Sequence, residues 1–90
     1  MMNYEKKIWK AYPLKIDEIA EYLSKDEGIR TMYGNPTKEE IAMKLNEPTL
    51  QVFGDCGQLS YCNHSFDGTH IIGLEFEGVL EEFSYVSIDG

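Results

Sequence analysis

The second half of this 90-residue chain has no lysine and no arginine; the last basic residue is Lys44. Residues 1–45 carry all eight Lys and Arg against eight acids and are balanced. Residues 46–90 carry the other eight acids, Glu47, Asp55, Asp67, Glu75, Glu77, Glu81, Glu82 and Asp89, with nothing to offset them. The formal charge of -8 therefore belongs to one half of the chain. A surface built from that half repels phosphate backbones and anionic lipid and attracts basic partners, which argues against direct contact with nucleic acid or membrane. Long apolar runs are missing too. No stretch approaches the ~20 apolar residues of a membrane span. The opening "MMNYEKKIWK" has charge but no apolar segment behind it, so a cytoplasmic chain without a secretory signal is expected.

Cysteine is scarce. Cys56 and Cys62 are too few for a disulfide scaffold, and in a cytoplasmic chain they are expected as free thiols. Both cysteines and both histidines fall within "CGQLSYCNHSFDGTH", Cys56 to His70. A structural zinc site wants four converging ligands, usually as close pairs such as C-x2-C and H-x3-H. The spacing Cys56-x5-Cys62-x-His64-x5-His70 matches none of these patterns. The strand pattern also scatters the four, with Cys56 in a turn, Cys62 on a strand, His64 in the next loop and His70 opening the following strand. No metal is expected.

Cysteine catalysis would need a thiolate beside a histidine base. Cys62 with His64 or His70 could supply the pair, but neighbouring carboxylates raise a thiol pKa and no Lys or Arg in this half lowers it. No catalytic residue and no cofactor are expected. A Gly-rich phosphate loop is absent as well: "YGNP" (Tyr33–Pro36) reads as a plain turn. Trp9 stands among Lys6, Lys7 and Lys10, a footprint too small for nucleic acid at this net charge, and packing is its expected role.

What is present suits one globular domain spanning residues 1–90. The chain is 42% hydrophobic, with mean hydropathy -0.38, four Phe, six Tyr and one Trp. A chain this long buries somewhat over ~60% of its unfolded surface, enough for one small core. After Pro13, "LKIDEIAEYLSKDEG" sets Leu14, Ile16, Ile19, Ala20 and Leu23 near helical spacing, with Gly28 as the stop. In "PTKEEIAMKLNEP" Thr37 and Glu40 form a capping box and Ile41, Ala42 and Leu45 a buried stripe, closed by Pro48. Helices of about ten and eight residues need a sheet to pack on.

Four β-prone runs follow: "TLQVF" (Thr49–Phe53), "QLSYCN" (Gln58–Asn63), "HIIGLEF" (His70–Phe76) and "VLEEFSYVSI" (Val79–Ile88). Short turns of Gly, Asp and Asn separate them, which predicts an antiparallel meander. "KKIWKAY" (Lys6–Tyr12) is read as a possible extra edge strand. The expected fold is α+β: two short N-terminal helices packed on a mostly antiparallel sheet of four to five strands. A two-residue turn at Glu77–Gly78 would pair Phe76 with Val79, Glu75 with Leu80 and Gly73 with Glu82. Alternation then places Ile72, Leu74, Phe76, Val79, Phe83 and Tyr85 on the core face and Glu75, Glu77 and Glu82 on the other. Glu81 falls awkwardly on the apolar face. Like charges on neighbouring strands destabilise a sheet, so an uncompensated acidic patch points to binding. The candidate partner-binding residues are Glu75, Glu77 and Glu82, with Asp55 and Asp67.

The C-terminal stretch "YCNHSFDGTHIIGLEFEGVLEEFSYVSIDG" (Tyr61–Gly90) resembles the polar, acidic meanders with which immunity proteins of bacterial toxin systems, including contact-dependent growth inhibition, often end. The resemblance is one of type and carries over no individual functional residue. It implies a tight stoichiometric inhibitor of a toxin domain, frequently a nuclease with a basic cleft. The charge argument is compatible, because a cleft lined by Lys and Arg for phosphates can be filled by a carboxylate surface. The expected function is thus toxin neutralisation by a protein that is monomeric when free. A phage-encoded nucleic-acid mimic such as an anti-CRISPR protein fits the same charge; a small Cys/His enzyme and a structural adaptor are the further alternatives.

Overall fold

A computed structural model describes residues 3–90. Asn3 caps the first helix, its side chain accepting from the Lys6 amide at 2.8 Å, and α1 runs over Tyr4–Ser24. The segment Lys6–Tyr12, read as an edge strand, is therefore helical, and Pro13 lies inside the helix and does not start it. An interior proline leaves the carbonyl four residues back, here that of Trp9, without its helical donor, at a cost of about 3 kcal/mol. The offset comes from packing. Tyr4, Ile8, Tyr12, Ile16, Ile19 and Leu23 recur every three or four residues on both sides of Pro13. Ile8, Ile19, Ala20 and Leu23 are fully buried, and a buried Ile or Leu is worth about 1.5–3 kcal/mol.

Gly28, read as the stop of that helix, sits inside a second short one. The Asp26 carboxylate accepts from the Ile29 amide at 3.0 Å and restarts the chain as α2, Glu27–Tyr33. The capping box at Thr37 and Glu40 is present, opening α3 over Lys38–Lys44. α3 packs beside α1, and Lys38 reaches Asp17 at 3.2 Å.

The strands β1 (Thr49–Phe53), β2 (Cys56–Tyr61), β3 (Ile71–Glu77) and β4 (Glu82–Asp89) form one antiparallel sheet in the order β1-β2-β3-β4. The architecture is α+β. A two-residue loop joins β1 to β2, with Gly54 at φ 66 in the position where such a tight hairpin favours glycine. Leu59, Tyr61, Ile72, Leu74 and Phe76 are buried at alternate positions of β2 and β3. They form a single core with Ile8, Ile19, Leu23, Ile29, Ile41 and Leu45 of the helical segments. Two contacts link α1 to strands: the Tyr12 and Tyr61 hydroxyls meet at 2.8 Å, and the Tyr22 and Phe83 rings at 5.3 Å between centroids. Among the described residues no helix is long and apolar enough to cross a membrane.

The last hairpin departs from the expected register. Glu77 faces Glu82 and Phe76 faces Phe83, so the loop holds four residues, Gly78–Glu81, where two were expected. Leu80 explains the longer loop. It turns into the core with no exposed surface, and its burial supports a left-handed backbone (φ 56) that leucine otherwise avoids. The Tyr4 hydroxyl of α1 braces the same loop, bonding the Gly78 carbonyl and lying 2.9 Å from that of Asp55. Relative to the expected pairing, Phe83 moves by four residues, an even number, and keeps its inward face. A bulge between the 76–83 and 75–85 pairs then turns Tyr85 outward and brings Val86 and Ile88 in. Tyr85 is 58% exposed, against the core position expected for it. Val79 sits in the loop. Glu81, expected on the apolar face, is also in the loop, where its carboxylate accepts from the Val79 amide at 3.1 Å.

Candidate functional site

The outward positions of the sheet follow from the register. Phe53, Cys56, Glu77 and Glu82 form one row across the four strands, and Gln51, Gln58, Glu75 and Tyr85 the next. Glu75, Glu77 and Glu82 thus share one exposed face, as alternation predicts, although the hairpin that places them has a different loop. Directly opposed residues in such a pair have Cβ atoms about 4.5–5.5 Å apart. The Glu77 and Glu82 carboxylates therefore repel each other across the ladder.

Meander topology carries Asp55 to the same place. The β1–β2 loop and the β3–β4 loop lie at one end of the sheet, tied by the Gly78 amide donating to the Asp55 carbonyl at 3.0 Å. A recess of about 270 Å³ opens there, lined by Asp55, Glu77, Gly78, Glu81 and Glu82. A second, of about 250 Å³, shares Asp55 and Glu77 and adds Phe53, Cys56, Glu75 and Ser84. Five carboxylates border the two recesses. Among the described residues the Lys–acid ion pairs are Lys15–Glu18 and Lys25–Glu21 along α1 and Lys38–Asp17 between α3 and α1, and none reaches the five. Burial first, then the neighbouring Cys56, Asp55 and Glu81 groups, push the Tyr4 hydroxyl pKa up.

Asp67 lies elsewhere. It belongs to the β2–β3 loop, at the opposite end of the sheet, and its carboxylate is engaged internally. One oxygen accepts from the Thr69 and His70 amides at 3.2 and 3.0 Å; the other accepts from the Tyr33 hydroxyl and the His70 ring nitrogen, both at 2.9 Å. Partial burial would raise its pKa, but hydrogen bonds from the His70 amide, Tyr33, the Thr69 amide and the His70 ring outweigh it and hold the carboxyl well below its ordinary range. Burial and the same carboxylate push Tyr33 up to about 12.

The cysteine and histidine segment resolves into a docked loop. His64, read as a polar loop residue, is 5% exposed. Its Nδ1 accepts from the Phe66 amide at 3.2 Å, which leaves Nε2–H to donate to the His70 carbonyl at 2.7 Å. Phe66 stacks on Tyr33 of α2 with centroids 4.6 Å apart, and the Lys44 ammonium stands 5.2 Å above its ring. Asn46 donates to the Asn63 carbonyl at 2.6 Å. Cys62 is exposed, and Cys56 opens β2 where a turn was expected. Among the described residues no three His, Cys, Asp or Glu side chains converge as a metal site.

Sequence reasoning missed Glu81 and Phe53 as parts of the acidic face. Phe53 was legible, because Leu50 and Val52 alternate with it and point the other way. Glu81 was not, since its place depends on the loop around Leu80. No protein-family model, curated protein or solved structure matches this chain.

Proposed function

We propose that this protein is an immunity-type inhibitor that neutralises a bacterial toxin domain, a nuclease with a basic active-site cleft, by docking the acidic face of its sheet into that cleft. The observation that supports it is the set of five carboxylates around two adjoining recesses, with no Lys or Arg among the described residues that line them, on a hydrogen-bonded sheet. Keeping Glu77 opposite Glu82 lowers the stability of the free protein. A basic partner converts that repulsion into attraction. The sheet already orders the backbone that carries Glu75, Glu77 and Glu82, so docking costs them side-chain freedom and no backbone ordering. In this reading the helices back the sheet from its apolar side, and the protein acts in the cytoplasm as a monomer until it meets the toxin.

Steered association gives the test. With the product of the gene immediately upstream as probe, stopped-flow mixing should show an on-rate that falls steeply between low and high salt. Glu75→Lys/Glu77→Lys/Glu82→Lys should abolish the steering while the protein stays folded. Tight binding that ignores both salt and the triple reversal would contradict the electrostatic mechanism and direct attention to the helical half.

A further inference from the structure

We infer that the acidic face selects arginine over lysine: the recess beside Phe53 seats a guanidinium supplied by a loop of the basic partner. This rests on the docking role proposed above and adds the chemistry of the group recognised. The recess, about 250 Å³, is walled by Phe53 on β1 and bordered by Asp55, Glu75 and Glu77, with the small side chains of Cys56 and Ser84 between. Phe53 is 58% exposed, although it is one of the largest apolar side chains of the sheet. Tyr85, equally exposed, stands directly opposite Glu75 on the other flank. The carboxylates of Asp55, Glu75 and Glu77 enter no hydrogen bond or ion pair among the described residues.

An aromatic face beside a carboxylate suits one cation better than the other. Glu75 and Glu77 stand two residues apart on β3, so their Cα atoms are about 6.6 Å apart. A planar guanidinium has five donors in a fixed fork, can bridge separated acceptors, and is weakly enough hydrated to lie flat on a ring. An ammonium is a compact, strongly hydrated charge that gains the Coulomb attraction but little from Phe53. The occupant is not a second copy of the chain. Its single arginine, Arg30, is bonded through Nε to Asn35 at 2.8 Å, and two chains of charge -8 repel. Phosphate-bearing partners are disfavoured by the same charge. What remains is a basic protein segment with arginine at its tip.

The test is an amide-resolved NMR titration of the whole protein, at one low ionic strength, with two peptides of equal charge: acetyl-Gly-Arg-Gly-Arg-Gly-amide and its lysine counterpart. The arginine peptide should shift the Phe53, Cys56, Glu75, Glu77 and Ser84 amides and bind about two- to fivefold more tightly, the range expected for stacking of a cation on an exposed ring. Phe53→Ala should erase that preference and leave the weaker binding common to both peptides. Glu75→Gln/Glu77→Gln should weaken both, and retained amide dispersion in each variant shows that the fold persists. Equal affinity of the two peptides at this face would overturn arginine selection while leaving the docking face standing. Absence of any binding, shifts located elsewhere, or a preference that survives Phe53→Ala would also overturn it. The toxin-neutralising role is tested separately, through association with the upstream gene product.

Discussion

Three phenylalanines on the sheet sample three depths, and truncating each to alanine tests the register from both faces. Phe76 is 1% exposed within the core cluster, and its ring fills the space that a Cβ on Gly57 would occupy, 2.8 Å from its Cζ. Removing such a ring costs about 3–5 kcal/mol. A domain of this length has about 5–13 kcal/mol in total, so Phe76→Ala removes about a quarter of it or more. Phe83 is half-buried and keeps one wall of its site through Tyr22 at 5.3 Å. Scaling the transfer term by burial and adding the loss of an aromatic pair gives about 2–3 kcal/mol. Phe53, 58% exposed on the outer face, should cost under about 1 kcal/mol. Urea unfolding followed by circular dichroism reads all three, with unchanged m-values showing that the denatured state is not altered. The order Phe76, Phe83, Phe53 is the content of the claim. A Phe53→Ala variant as unstable as Phe76→Ala, or a Phe83→Ala loss matching that of a fully buried ring, would refute the face assignment.

Pro13→Ala should stabilise the protein by about 1–3 kcal/mol, because it restores a helical donor at an exposed position of α1; a lower melting temperature would show that the ring packs usefully. The Asp67–Tyr33 pair sets limits on both sides of neutrality. The Asp67 pKa is depressed in the fold, so its stabilisation is complete above its ordinary value of 3.8 and fades as pH falls below it. The Tyr33 pKa is raised to about 12, so its share is complete below 10 and is lost as pH climbs from 10 towards 12. Asp67→Asn should flatten the acid limb of a stability–pH profile and Tyr33→Phe the alkaline limb, and limbs that keep their shape in these variants would contradict the assignment.

Much of the fold was legible because it rests on local chemistry. Thr37 and Glu40 announce α3 through a capping box that depends on four residues, and the alternation in "TLQVF" fixes β1 to its ends. The failures have two sources, overlapping local signals at Pro13 and Gly28 and non-local contacts at Leu80 and His64. Pro13 reads as a helix start until one sees that Tyr4, Ile8 and Tyr12 extend the buried stripe of Ile19 and Leu23 across it. Gly28 reads as a stop because a cap at Asp26, close behind Ser24, leaves only a seven-residue helix to recognise. The four-residue loop at Gly78–Glu81 is set by the burial of Leu80 and by Tyr4, which is 74 residues from Gly78 in sequence. His64 looks like surface because its burial comes from docking the loop on Tyr33 and Lys44. The acidic face escaped these errors, since the pairing moved by an even number of residues up to the bulge and parity alone places Glu75, Glu77 and Glu82 together.

Growth rescue measures most directly whether that face neutralises a toxin. The upstream gene, induced alone in a heterologous bacterium, should arrest growth, and co-expression of this protein should restore it. The Glu75→Lys/Glu77→Lys/Glu82→Lys variant, accumulating as a folded protein at the same level, should fail to restore it, because it would present lysines to the basic cleft proposed for the partner. Rescue by the charge-reversed variant equal to that of the parent would contradict the account, as would an upstream product whose toxicity the parent leaves untouched.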